Sequence, residues 1–183
     1  PSLSEDETVY DMAQGADGDS WLASESALIC LSNHQTDRFP WPGDQDLMMQ
    51  PGRCLYPLKE GLIGIQTDQG AFVFDKKNKV FAPIIHPSQP EKEVRILGHQ
   101  TSLGLITSII PSAKDQPATL EFFDGLHWQS NGHPWPQILP ARELLWATLL
   151  DQEMWIGWNQ GVAYASGKDW MVYQPEDGIG EET

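Results

Sequence analysis

Short apolar runs separated by polar turns occur along most of the chain, and they are clearest between residues 151 and 178. There, three apolar runs are separated by turns at 159–161 and 166–168, which contain Asn, Ser and Gly. Alternating or wholly apolar runs of this length are typical of β-strands, and such residues favour tight turns. Residues 142–150 are the only candidate for a helix, and the repeat register makes them a strand. The pattern therefore predicts an all-β chain.

The same pattern recurs upstream, so the chain is expected to be a repeat array. Aligning Trp21 with Trp155 also aligns Leu28 with Val162, and two weaker units lie between them. Successive units are about 40 residues apart, and groups of four short strands at that period are typical of one propeller blade per repeat.

The predicted fold is a β-propeller built of about four antiparallel four-stranded blades, in a partial ring of a larger propeller or in a small closed ring. The whole chain, 1–183, is predicted to be a single propeller-type array. Its approximate blades are residues 1–50, 51–91, 92–140 and 141–183.

Two of the units resemble a known repeat. The residues that carry the resemblance are 154–157, Gly161, Val162, Trp170, Tyr173 and 177–179 in the fourth unit, and Asp17, Gly18 and 21–24 in the first. This motif is similar to the two-component regulator propeller repeat. The second unit lacks its Trp and the third is degenerate. The resemblance implies an extracytoplasmic, periplasmic sensory region that functions in signal transduction.

Composition limits the partners. The chain has 11 Lys and Arg against 26 Asp and Glu, a formal charge of −15. Nucleic acid is not an expected partner of this acidic protein, because its binding depends on basic side chains that neutralise phosphates. No apolar run approaches the ~20 residues that cross a bilayer, so this segment is not expected to insert into a membrane. Open blade edges predict a homo-oligomer or the remainder of a longer chain as a partner.

Chemistry-bearing residues do not form a recognisable site in the sequence. The two cysteines, Cys30 and Cys54, are in no CxxC motif or Cys/His cluster, so they are expected to be buried thiols; a disulfide between them is left open. No nucleophile elbow or phosphate-binding loop occurs. We therefore predict no catalytic residue, no metal site and no cofactor.

Two tryptophans depart from the repeat and are the predicted ligand-binding residues. Trp146 aligns with Met12 of the first unit. Trp158 aligns with small hydroxyl residues in the other units: Ser24, Thr67 and Thr107. A large ring in place of a small side chain is expected either in the packing between blades or at a binding surface. If both indoles are exposed, they offer a platform for a small neutral ligand such as a saccharide, or for a protein partner.

The predicted function is a non-enzymatic sensor module that binds a ligand or a protein. Two alternatives stay open. One is a propeller glycan hydrolase or lyase, which needs acidic residues and a basic or His partner on one face. The other is a structural scaffold fragment that completes a larger assembly.

Overall fold

The computed structural model describes residues 7–15, 17–32, 35–42, 54–59, 61–100, 102–110, 118–130, 144–151, 153–166 and 169–174. These residues form four antiparallel sheets of four strands and no helix. The all-β prediction, with four-stranded antiparallel blades, is confirmed. Within the described ranges, no helix is therefore long and apolar enough to cross a membrane.

The chain divides into two compact units, 1–84 and 85–183, and each contains two sheets. The first sheet consists of β1 (Val9–Gln14), β2 (Ser20–Ser24), β3 (Ala27–Ser32) and β4 (Gln35–Pro40). The second consists of β5 (Leu55–Pro57), β6 (Leu62–Thr67), β7 (Gly70–Asp75) and β8 (Val80–Pro83). In each sheet the strands are neighbours in chain order.

The second unit repeats this arrangement. The third sheet consists of β9 (Glu93–Gln100), β10 (Gly104–Ile110), β11 (Thr119–Phe123) and β12 (Trp128–Ser130). The fourth consists of β13 (Leu144–Leu150), β14 (Glu153–Trp158), β15 (Gly161–Ser166) and β16 (Asp169–Tyr173). Each sheet lies inside one of the four predicted segments, whose boundaries stay a prediction.

One apolar face of each sheet packs on the other sheet of its unit. In the first unit the core combines two sets: Trp21, Leu28, Cys30 and Phe39 from the first sheet, and Leu55, Ile63, Ile65 and Phe74 from the second. The Trp21 and Phe74 rings meet edge to face, 5.8 Å apart. Cys30 and Cys54 are free, buried thiols in this core, as expected. Burial and the neighbouring Asp11 carboxylate raise the pKa of Cys54 to about 12.

An ion pair also joins the two sheets of the first unit. The Lys76 ammonium donates to the Asp19 carboxylate and lies 5.8 Å from the centre of the Trp21 ring. The hydrogen bond from Lys76 lowers the pKa of Asp19, and the same bond raises the pKa of Lys76. Both groups are therefore charged at neutral pH, and the pair fixes the turn after β7 against the turn before β2.

The first strands of the two sheets in the first unit are joined through Asp11. Its Oδ2 accepts hydrogen bonds from the backbone N–H groups of Cys54 and Leu55, each at 2.7 Å. In the second unit, the first strands β9 and β13 come so close that a Cβ at Gly98 would overlap the Ala147 carbonyl. Successive first strands thus contact each other through backbone groups in both units.

Three of the four first strands contain the same irregularity. β1, β9 and β13 each have a one-residue bulge, at Tyr10, Leu97 and Leu145 respectively. A bulge reverses the side-chain alternation beyond it. The residues that follow the bulges, Asp11, Gly98 and Trp146, therefore occupy equivalent positions: each lies on the same face of its first strand, next to the bulge.

We expect Asp11→Ala to destabilise the first unit. The variant leaves the N–H groups of Cys54 and Leu55 without their acceptor, and such a loss costs about 1–3 kcal/mol. Urea unfolding measures the change in the free energy of unfolding. Asp11→Asn keeps one acceptor oxygen and should lose less. Equal losses in the two variants would contradict this role of the carboxylate.

We also expect an acid-sensitive contribution from Glu7. Hydrogen bonds from Arg38, Ser24 and Ser26 lower the pKa of Glu7 from 4.5 to about 2. A carboxyl group with a lowered folded-state pKa stabilises the protein above its unfolded pKa, and that contribution is lost as the pH falls through the folded value. The free energy of unfolding should therefore fall between pH 4.5 and pH 2. Glu7→Gln should reduce this fall, measured by urea unfolding at a series of pH values. A variant that loses as much stability as the wild type over this range would contradict the role of Glu7.

Candidate functional site

The two predicted ligand-binding tryptophans lie on opposite faces of the fourth sheet. Trp158 pairs with Leu144, and Trp146 pairs with Gly157. These are neighbouring cross-strand pairs, and the side chains of neighbouring pairs point to opposite faces of the sheet. Trp158 is only 7% exposed and belongs to the core of the second unit, whereas Trp146 is 42% exposed. The platform of two neighbouring indoles is therefore not formed. A binding role for Trp146 stays a prediction.

The bulge at Leu145 explains this separation. Regular alternation would place Trp146 on the same face as Leu144, which is buried. The extra residue reverses the alternation and turns Trp146 outward. The structural counterpart of Trp146 in the first sheet is Asp11, because Asp11 pairs with Ala23 as Trp146 pairs with Gly157. The alignment with Met12 was wrong by one residue, because the β13–β14 turn is shorter than the β1–β2 turn.

Trp158 replaces a hydroxyl that closes a hairpin elsewhere. The Ser24 hydroxyl donates to the Ala27 carbonyl at 2.8 Å, and the Thr67 hydroxyl donates to the Gly70 carbonyl at 3.0 Å. The Trp158 ring instead covers Gly161: a Cβ added to Gly161 would lie 2.8 Å from Cζ2 of Trp158. The substitution therefore exchanges a local hydrogen bond for apolar burial.

The Trp146 indole lies flat on the sheet over Gly157. A Cβ added to Gly157 would overlap the ring, with Cε2 nearest and two of its three ring neighbours, Nε1 and Cζ2, next. If this Cβ met the edge of the ring, it would be closer to Nε1 and Cζ2 than to Cε2, because Cε2 lies set back between those two atoms. One face of the indole therefore rests on the Gly157 backbone, and the opposite face points away from the sheet.

The neighbouring strands extend this surface with a stack of aromatic rings. Trp155 and Tyr164 are 4.6 Å apart and 17° from parallel, and Tyr164 and Tyr173 are 6.2 Å apart and 10° from parallel. The Tyr164 hydroxyl donates to the Met171 sulfur at 3.3 Å. Because the rings stack on each other across the strands, the stack shows ring edges outward, in contrast to Trp146.

We call this surface the open aromatic face. Its aromatic part consists of Trp146, Thr148, Trp155, Gly157, Val162, Tyr164, Met171 and Tyr173, and none of these side chains carries a charge. Leu150, Glu153 and Asp169 lie on the same face at one end of the sheet, so two carboxylates border the aromatic part. Partial burial, together with Tyr173 and Glu153, raises the pKa of Tyr164, so its phenol stays neutral at physiological pH. The aromatic part of the face is therefore uncharged.

Trp155 has the same place in the fourth sheet as Trp21 has in the first. Trp21 pairs with Cys30, and Trp155 pairs with Tyr164, at matching positions of the second and third strands. A large apolar side chain at this repeat position is expected in the core between blades. Trp21 meets that expectation, because the second sheet covers it completely, whereas Trp155 is only partly buried.

Sequence reasoning missed Tyr164, Met171 and Tyr173 as parts of one surface. The signal was present in the alignment: these residues correspond to Cys30, Asp37 and Phe39 of the first sheet. Two of the three replacements are markedly larger than the residues they replace. Larger, uncharged residues at matching positions of two neighbouring strands, Tyr164 for Cys30 and Met171 for Asp37, indicate a changed face.

Other polar clusters lie away from the open aromatic face. His86 Nε2 is 3.2 Å from Glu121 Oε2, and the His86 ring meets Trp128 edge to face. His127 and Asp124 are three residues apart in an exposed turn. Among the described residues, no group of three or more His, Cys, Asp and Glu side chains is placed to hold a metal ion.

Solved structures with the same fold come from two functional contexts. The chain is similar to the extracellular domain assigned to a hybrid two component system from B. thetaiotaomicron, with 17% identity and a TM-score of 0.55 over 90% of this chain. It is similar to the extracellular domain assigned to a one component system from the same organism, with 13% identity and a TM-score of 0.56 over 93%. It is also similar to a catalytically inactive virginiamycin B lyase from Staphylococcus aureus, solved with quinupristin, with 13% identity and a TM-score of 0.59 over 94%.

These similarities confirm, at the level of the fold, the resemblance to the two-component regulator propeller. The chain spans 24% and 22% of the two extracellular domains and 57% of the lyase. No protein-family profile and no curated protein matches the chain.

We expect Trp158→Ala to destabilise the second unit by about 3–5 kcal/mol, as is usual for a buried aromatic residue. Trp158→Thr should cost less, because a hydroxyl there can donate to the Gly161 carbonyl as Thr67 donates to Gly70. Urea unfolding of the two variants measures both losses. A loss below about 1 kcal/mol in Trp158→Ala would contradict the assignment of this indole to the core.

Proposed function

We propose that the chain is a non-enzymatic sensory module, made of propeller blades, that binds a small neutral ligand or a protein partner. The observation that carries the proposal is the open aromatic face, whose aromatic part is uncharged on a protein with a formal charge of −15. Exposed apolar patches of this kind often mark interaction sites.

The extracytoplasmic setting is part of the same proposal. Two of the similar structures are extracellular domains, assigned to a hybrid two component system and a one component system. Their identity to this chain is low, so they support the setting by analogy of fold. The motif around Trp155 supports it independently, because it resembles the propeller repeat of two-component regulators.

A small neutral ligand fits the outward face of Trp146. An indole lying flat against the backbone offers its free face to the C–H groups of a ring, and a saccharide presents such groups. An anionic ligand is disfavoured by the overall charge. The ligand class we propose for this site is therefore a neutral saccharide.

An enzymatic function is less well supported. One similar structure is a lyase. In this chain, however, His86 is 7% exposed, and neither the His86–Glu121 nor the His127–Asp124 contact lies on the open aromatic face. A glycan hydrolase or lyase would need an acid and a base beside the bound sugar. The described members of the open aromatic face include two carboxylates, Glu153 and Asp169, but no basic or His side chain.

We expect Trp146→Ala to weaken saccharide binding at least tenfold, with a melting temperature within a few degrees of the wild type, because the indole is on the surface. Isothermal titration calorimetry against a panel of neutral mono- and disaccharides measures the affinity. Leu145→Ala, which removes an exposed neighbour on the same strand, is the matched control and should bind normally. Binding that survives Trp146→Ala, or no binding by the wild type, would contradict the proposal.

A further inference from the structure

We infer that the saccharide at Trp146 is a short linear oligosaccharide that carries a protonated amino group, and that Glu153 and Asp169 select it. The inference rests on the proposed function, because stacking of one sugar ring on Trp146 remains the anchor of the ligand. It adds the length of the ligand, its direction along the sheet and the charge of the end that lies away from Trp146.

Three rows of side chains cross the strands of the open aromatic face. The first row contains Trp146, Gly157, Val162 and Tyr173. The second row contains Thr148, Trp155, Tyr164 and Met171. The third row continues the same pairing and contains Leu150, Glu153 and Asp169. Along its strands, the face therefore changes from a flat indole at one end to two carboxylates at the other.

The two carboxylates have no basic side chain near them in the fourth sheet. Its described residues, 144–151, 153–166 and 169–174, include no Lys, Arg or His. Neither Glu153 nor Asp169 forms an ion pair with another described residue. The charge of Glu153 also reaches the aromatic stack: after partial burial and Tyr173, it contributes to the raised pKa of Tyr164. This end of the face therefore attracts a cation.

The separation of the two ends sets the length of the ligand. Gly157, which lies under the Trp146 indole, and Glu153 are four residues apart on β14. A strand rises about 3.3 Å per residue, so the two ends are ~13 Å apart. A single sugar ring stacked on Trp146 does not reach the carboxylate, whereas a linear chain of several rings does. The ligand therefore lies along β14 and crosses the second row.

Selection between saccharides depends on the carboxylates, because the rest of the face is uncharged. The Trp155 and Tyr164 rings offer apolar contact, and the Tyr164 hydroxyl already donates to Met171. A sugar hydroxyl can donate to Glu153 or Asp169, but an ammonium adds the attraction between opposite charges. Exposed pairs of opposite charge contribute little each, so the preference for an amine is expected to be several-fold.

The test compares three linear trisaccharides of the same linkage, made of glucose, of glucosamine or of N-acetylglucosamine. Isothermal titration calorimetry of the full chain is carried out at about 0.1 M salt, at a pH at which the sugar amines are protonated. The glucosamine trisaccharide should bind at least fivefold more tightly than the other two. The preference should disappear at about 1 M salt, where the screening length falls to about 3 Å.

Variants at the carboxylate end separate selection from anchoring. Glu153→Gln combined with Asp169→Asn should abolish the preference for the glucosamine trisaccharide, and the affinity for the glucose trisaccharide should stay within twofold of the wild type. Glu91→Gln is the matched control, because it removes one exposed negative charge that is not on the open aromatic face. This control should keep the full preference. Trp146→Ala should weaken the binding of all three trisaccharides.

The outcomes distinguish this inference from the proposed function. Equal affinity for all three trisaccharides, lost in Trp146→Ala, would support the stacking site and overturn the selection of an amine. A preference that survives the double variant, or that falls as much in Glu91→Gln, would also overturn the selection. If no trisaccharide binds, the stacking site fails, and the selection fails with it. A trilysine peptide that displaces the glucosamine trisaccharide and binds Trp146→Ala as tightly as the wild type would overturn the inference and identify a basic peptide as the occupant.

Discussion

Face-to-face packing of successive sheets is the interaction on which the rest of this structure depends. A four-stranded sheet buries an apolar face only when another sheet lies against it, and in each unit the core consists of two such faces. Trp21 is fully buried for this reason, under Phe74 and its neighbours. Polar contacts such as Asp19–Lys76 and Asp11 with the β5 backbone then fix the angle and register of the pair.

The repeated bulge connects this packing to the candidate site. It turns the residue that follows it toward the next sheet, and the three sheets use that place differently. A carboxylate binds backbone N–H groups at Asp11, the absence of a side chain permits close approach at Gly98, and a flat indole lies on Gly157 at Trp146. The same place in the sheet thus carries a contact between sheets in two cases and an exposed indole in the third.

The hairpin that follows shows a related exchange on the opposite face. Ser24 and Thr67 close their hairpins with hydroxyl groups, whereas Trp158 buries its ring against Gly161 in the core. Trp146 and Trp158 both depart from the repeat, yet one departure enlarges the core and the other enlarges a surface. The residue types alone do not distinguish these outcomes, because burial depends on the face and not on the side chain.

The sequence by itself determined the strands and the alignment of Trp21 with Trp155. Side-chain alternation and turn residues are local properties, and the strands of the first and fourth sheets match position by position. Only the tertiary structure decided which face Trp146 occupies, because the bulge at Leu145 reverses alternation through its pairing with another strand. It also decided that Tyr164, Met171 and Tyr173 form one surface with Trp155. Burial is a property of two packed sheets, so a sequence that specifies each sheet separately leaves the covering of the last face undetermined.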